Sequence, residues 1–153
     1  MSAVNENIIE TIINCQGERL GVALWHELSQ DSPIVLASTG QIDIVLVNII
    51  MNAIQAAQSK SKKGRVRVST SVGADGYATV IIEDNGPGVS PELRHRIFDP
   101  FFTTKEVGQG TGLGLAISQA LVARLGGSLR YDSSYRDGAR FTLALRRANR
   151  EAL

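Results

Sequence analysis

The spacing of apolar residues switches along the chain between the period of a helix and that of a strand. Val4, Ile8, Ile9, Ile12 and Ile13 share one helical face, with Gly17 as a stop. Residues 20 to 28 alternate through Leu20, Val22 and Leu24, which predicts a short strand. A helix is expected over about 41 to 58. Residues 65 to 72 alternate again through Val66, Val68, Thr70 and Val72, and Gly73-Ala74-Asp75-Gly76 turns the chain into a partner strand from Tyr77 to Asp84. Leu113, Ala116, Ile117, Ala120, Leu121 and Leu125 mark a further amphipathic helix, stopped by Gly126-Gly127. A last hairpin pairs Leu129 to Tyr131 with Phe141, Leu143 and Leu145 around Asp137-Gly138. No repeat, low-complexity tract or linker interrupts this order, so residues 1–153 read as one domain. Antiparallel hairpins mixed with three helices predict an α+β fold with helices on one face of a sheet.

The helix over 41 to 58 departs from ordinary amphipathicity. Gln41, Asn48, Asn52, Gln55 and Ser59 form one narrow polar stripe, while nearly everything else except Asp43 is apolar. A helix apolar almost all round is mostly buried. Buried amides without partners cost roughly 1–3 kcal/mol each, so the stripe should face a cavity with polar contents. An amide oxygen is a suitable hard ligand for Mg2+, which takes one or two protein oxygens and leaves the rest to phosphates and water. A capping or core hydrogen-bond role is the plainer alternative.

Three further segments carry chemistry. Asp84 lies on the apolar side of its strand, at the end, with Ala78, Val80 and Ile82. A carboxylate there can accept from an exocyclic amine such as that of adenine, and Gly86 and Gly88 let backbone approach a flat ring; a simple turn would use the same glycines. Gly108-Gln109-Gly110-Thr111-Gly112-Leu113-Gly114 runs straight into a helix, whose N-terminal N–H groups make an anion site. The run matches neither G-x-x-x-x-G-K-[ST] nor G-x-G-x-x-G, and glycines alone could make a flexible lid. Three of the four phenylalanines, Phe98, Phe101 and Phe102, precede it. Left exposed they would make an apolar patch; they are expected to dock a movable loop and leave Lys105 free to meet phosphate. The segment from Asp84 to Gly114 is thus expected to close around a nucleotide.

Composition narrows the classes without adding to them. A net charge of +1 gives no reason to expect nucleic-acid or membrane binding. Lys60, Lys62, Lys63 and Arg65 read as a solvated loop. Cys15 is the single cysteine and suits a reducing compartment. No apolar run was expected to reach the ~18 residues of a membrane span, and no signal peptide is evident. A cytoplasmic domain follows as the expectation.

Taken together, Asn48 to Ala53, Asp84 to Gly88, Phe98 to Lys105 and Gly110 to Leu115 resemble the N, G1, F and G2 boxes of sensor histidine kinases, and Gly138-Ala139-Arg140-Phe141 is similar to their last glycine-rich box. The resemblance covers about residues 41 to 145. It implies the ATP-binding catalytic domain of a two-component kinase, with the GHKL fold: a two-layer α/β sandwich, its mixed and mostly antiparallel sheet packed on one face by three helices. The lid would lie at about 88–110. By position, Asn52 and Asn48 would hold Mg2+ and assist at the phosphates, with Asn52 and Lys105 as the catalytic pair. Asp84 would take the adenine amine, with Gly86 and Gly88 beside it. Gln55, Thr103, Thr104, Lys105, Gly110, Thr111, Gly112, Leu113 and Gly114 would complete the ATP contacts. The partners implied are a phosphoacceptor helical hairpin and a downstream response regulator; the isolated domain would be a monomer. A nucleotide-binding regulatory module without turnover is the alternative.

Two departures from the family pattern stand out. Family members often carry a basic residue and then an aromatic three and four positions after the magnesium Asn; here these are Gln55 and Ala56. His26-Glu27 imitates the phosphoacceptor pair, but the strand-like surroundings leave no room for a helical hairpin, so His26 is not expected to accept phosphate. His95 reads as a solvated side chain.

Overall fold

The computed structural model describes residues 2–3, 9–12, 14, 19–30, 34–35, 37–59, 63–108 and 110–148. Its elements in order are β1 (Ser2–Ala3), β2 (Val22–Glu27), β3 (Ile34–Val35), α1 (Thr39–Gln58), β4 (Gly64–Val72), β5 (Tyr77–Asp84), α2 (Gly114–Arg124), β6 (Ser128–Tyr131) and β7 (Arg140–Arg146). Residues 9–12 and 14 are also helical and Ile9 is buried; the rest of the first expected helix, with Cys15 and Gly17, lies outside the described residues, as do Lys60 and Lys62.

Five strands form one sheet in the order β2-β4-β5-β7-β6, with β2 parallel to β4 and the other pairs antiparallel. Alternation along the strands divides its faces. Val66 and Val68 on β4, Ala78, Val80 and Ile82 on β5, Leu129 on β6, and Phe141, Leu143 and Leu145 on β7 are buried beneath α1 and α2. The opposite face carries a chain of ion pairs across four strands: Glu27 to Arg67 at 2.6 Å, Arg67 to Glu83 at 3.1 Å, Glu83 to Arg140 at 2.5 Å and Arg140 to Asp132 at 3.1 Å. Arg67, Glu83 and Arg140 are direct cross-strand neighbours, so opposite charges meet where like charges would repel. The expected α+β sandwich is the observed architecture.

β1 and β3 make a separate antiparallel pair that the pattern did not announce, since two-residue strands are too short to show a period. α1 also corrects an expectation. By length and composition it is apolar enough to cross a bilayer, yet Ile42, Val45, Leu46, Ile49, Ile50, Ala53, Ile54 and Ala57 are buried within the fold. Ile44 and Val47 stay exposed, so it is less enclosed than its composition suggested. α2 is rotated from its expected face: Ser118 and Val122 are buried, while Ile117 and Ala120 are not.

Candidate functional site

The polar stripe of α1 separates into two parts. Its ends are helix caps. Ser38, at the N-cap, donates from its N–H (3.4 Å) and Oγ (3.0 Å) to Gln41 Oε1, and Ser59 Oγ donates to Ala56 O at 2.7 Å; these satisfy terminal groups the helix leaves open. Its middle, Asn48, Asn52 and Gln55, rises along about two turns, and each neighbouring segment of the expected site meets α1 there.

Asn48 Nδ2 donates to Gly114 O at 3.4 Å and to Ser118 Oγ at 3.3 Å. The first turn of α2 is thereby fixed against α1. No described side chain caps that turn, and the N–H groups that open a helix form an anion site. Thr111 Oγ1 accepts from Leu113 N–H at 3.2 Å just before it. Gly112 has φ 68°, and a Cβ there would come within 2.5 Å of the Phe101 carbonyl carbon. Only glycine fits both constraints.

Asn52 is half-buried in the middle of the stripe. Among the described residues no group of three or more His, Cys, Asp or Glu could hold a metal. A magnesium ion fits here only as it does with nucleotides, through phosphate oxygens, water and one or two neutral amide oxygens. Asn52 Oδ1 has the right chemistry, and Asn48, anchored by its nitrogen, keeps Oδ1 as a second donor.

At the far end of the stripe the loop after β5 presses on α1. A Cβ on Gly86 would lie 2.7 Å from Ala56 O, and one on Gly88, where φ is 71°, 2.9 Å from Gly138 O. These glycines are therefore required by contact with the protein's own backbone, a tighter reason than approach to a ring. Asp84 is 3% exposed. Its Oδ1 accepts from Gly86 N–H at 2.8 Å and from Ala139 N–H at 3.3 Å, so two loops hold the carboxylate. Asn85 instead clamps the start of β4, accepting from Arg65 N–H and donating to Lys63 O.

The lid brings Lys105 to the stripe, where its Nζ donates to Gln55 Oε1. Partial burial pulls the Lys105 ammonium below its ordinary pKa. Thr103 Oγ1 accepts from Lys105 N–H at 3.1 Å, while Thr104 is exposed. Phe98 and Phe102 pack against the core; Phe98 meets Phe141 edge-on at 6.3 Å, and the Arg96 guanidinium lies 4.7 Å over Phe102. Phe101 corrects the expectation for this trio. It is 74% exposed and has φ 65°, because the chain turns on its backbone against Gly112. His26 sits in β2 opposite Val68, in a strand as expected, and His95 is exposed.

Asn48, Gly114, Asn52, Gln55, Lys105 and the Gly86 loop with Asp84 thus converge along one face of α1. Gly88 and Thr104 are not drawn directly to it. Ala139, in the last glycine-rich box, and Ser118 also hold the site; Ser118 was not singled out by sequence. A serine on the apolar face shared with Leu115 and Val122 was the available signal for it.

A family model described as histidine kinase-, DNA gyrase B- and HSP90-like ATPase matches residues 38–149. The chain is 39% identical over 145 residues to the signal transduction histidine-protein kinase AtoS of Escherichia coli, covering 94% of this chain and 23% of that protein. It is 34% identical to the sensor protein FixL of Bradyrhizobium diazoefficiens, covering 81% and 24%. It therefore spans about a quarter of these relatives' length. Among solved structures, the catalytic domain of histidine kinase ThkA superposes with a TM-score of 0.81 at 25% identity, covering 97% of each chain. Full-length ShkA in complex with AMPPNP gives 0.78 at 29% identity over 95% of this chain and 30% of that one. The chain belongs to the histidine kinase-, DNA gyrase B- and HSP90-like ATPase family, and within it is homologous to the catalytic domains of sensor histidine kinases.

Proposed function

We propose that this chain binds Mg-ATP and transfers the γ-phosphoryl group to a histidine on a separate dimerisation and phosphoacceptor domain. The observation that carries this reading is the convergence on α1: a buried carboxylate held at one end, an uncapped helix N-terminus tied to the other, and a half-buried amide between them. Asp84 accepts the adenine amine, and the phosphates lie toward Gly110 to Gly114 and the start of α2. Magnesium, when bound through Asn52 with Asn48 beside it, supplies charge neutralisation across the phosphate oxygens. Lys105 adds a positive charge from the lid. The complex of ShkA with AMPPNP supports a nucleotide in this fold.

The chain's residues hold and orient; they provide no nucleophile. In transfer the bond from the γ-phosphorus to its bridging oxygen breaks, ADP leaves, and a bond to the acceptor imidazole nitrogen forms. Positioning and charge stabilisation are what such a step asks of a protein. The acceptor and any base belong to the partner domain. The reading places the domain in the cytoplasm, as a monomer, upstream of a response regulator.

The test supplies a phosphoacceptor hairpin and radiolabelled ATP. Label on its histidine, lost with Asn52→Ala, is the expected result; no label on any histidine contradicts it. Gln55, where family members often carry a cation, favours a second reading, a regulatory module that binds nucleotide without turnover. In that case Asn52→Ala loses magnesium dependence while no transfer exists to abolish.

A further inference from the structure

α1 carries no basic residue between Thr39 and Gln58, and the only one on α2 is Arg124, in its last turn. That turn lies about 15 Å from the N-terminus that meets Asn48. Neither α1 nor α2 therefore brings a cation to the Asn48 end of the stripe. Arg96 lies over Phe102, Arg94 over Tyr131, and Arg140 pairs with Glu83 and Asp132.

Lys105 reaches the α1 stripe from the lid, by a defined route. Its N–H is turned by Thr103 Oγ1. Its stem passes so close to Gly110 that a Cβ there would lie 2.8 Å from Lys105 Cδ, and its ammonium ends on Gln55 Oε1. Gln55 stands three residues beyond Asn52 and seven beyond Asn48, on the same helical stripe.

We propose that Gln55 is a positioning residue for Lys105: its amide oxygen holds the lid ammonium on the stripe about one turn beyond Asn52, from where the lid supplies the charge that α1 lacks. A carbonyl acceptor suits this task. It orients an ammonium without neutralising it, as a carboxylate would, and yields it to the more strongly attracting oxygens of a phosphate. Gly110 serves the same arrangement by leaving room for the lysine stem. Gln55 then acts on the nucleotide through Lys105, and the family's usual cation on this helix is replaced by a pair split between helix and lid. This rests on the nucleotide reading above.

Titration calorimetry on the full chain with Mg-ATP and with adenosine tests both. Gln55→Leu is expected to weaken Mg-ATP about tenfold and leave adenosine unchanged. Lys105→Met should do the same or more, and the double variant should bind Mg-ATP no worse than Lys105→Met alone. Gln55→Lys combined with Lys105→Met moves the charge onto the helix and should recover most of the lost affinity. Unchanged Mg-ATP binding in Gln55→Leu, losses that multiply in the double variant, or equal loss of adenosine would each overturn the positioning role while leaving the nucleotide site standing. Wild type that binds neither ligand overturns the site and this role together.

Discussion

Asn48 Nδ2 donates to the hydroxyl of Ser118, a side chain with no exposed surface, and so joins the two helices over the sheet at the point where the phosphates would enter. Ser118→Ala leaves Asn48 with one of its two interhelical acceptors. Urea denaturation should show a loss of about 1 kcal/mol, the usual worth of a part-buried hydrogen bond. Adenosine affinity, set at the other end of the stripe, should be unchanged.

Asp84 allows its two tasks to be separated. Asp84→Ala strips the acceptor from the N–H groups of Gly86 and Ala139 and should cost about 2–3 kcal/mol, read by the same denaturation. Asp84→Asn keeps an acceptor of the same shape, so stability should fall less. Nucleotide affinity should still fall at least about tenfold, because the proposed charge-assisted bond to the adenine amine would become neutral.

Much of this arrangement is legible in the sequence, and what is not has a physical reason. β5 runs from Tyr77 to Asp84, and strand parity alone puts Asp84 on the buried face with Ala78, Val80 and Ile82. α1 and its stripe follow equally from period. Periodicity does not reveal which polar residues cap a helix: Gln41 and Ser59 look like Asn52 on a wheel but are spent on helix ends. Nor does it expose Ser118, whose small side chain interrupts an apolar face without breaking it. Phe101 was grouped with its neighbours by composition, whereas its exposure comes from a backbone contact with Gly112 that no local pattern encodes. Gly86 and Gly138 were visible as turn residues, but the partners that forbid a side chain, Ala56 and Asp84, are distant in sequence.

Those partners give a paired test of the glycines. A Cβ on Gly138 would lie 2.1 Å from Asp84 O, so Gly138→Ala must move backbone at the site and should cost about 1–3 kcal/mol together with nucleotide affinity. Gly40, in the first turn of α1, has nothing within 4 Å of the same position. Gly40→Ala should be neutral or stabilise by up to about 1 kcal/mol. Unfolding midpoints of the two variants should therefore move in opposite directions or differ sharply.

The outer face of the sheet carries a pH dependence. Hydrogen bonds from the Ser134 hydroxyl and amide, and then the Arg140 guanidinium, hold the Asp132 carboxyl down to about 2 from an ordinary 3.8. A folded-state pKa below the unfolded one means stability that is present above about pH 4 and is lost as pH falls through about 2. Urea midpoints measured across that window should fall less steeply in Asp132→Asn than in wild type. Near pH 7 the variant should be the less stable of the two.

The central claim is that the amides of α1 hold a nucleotide through its magnesium. Calorimetric titration of ATP into wild type and Asn52→Ala, each with and without magnesium, tests it most directly. The account predicts saturable binding to wild type at one site, strengthened by magnesium, and binding to Asn52→Ala that magnesium no longer strengthens. ATP that fails to bind wild type, or a magnesium effect of equal size in Asn52→Ala, would contradict it.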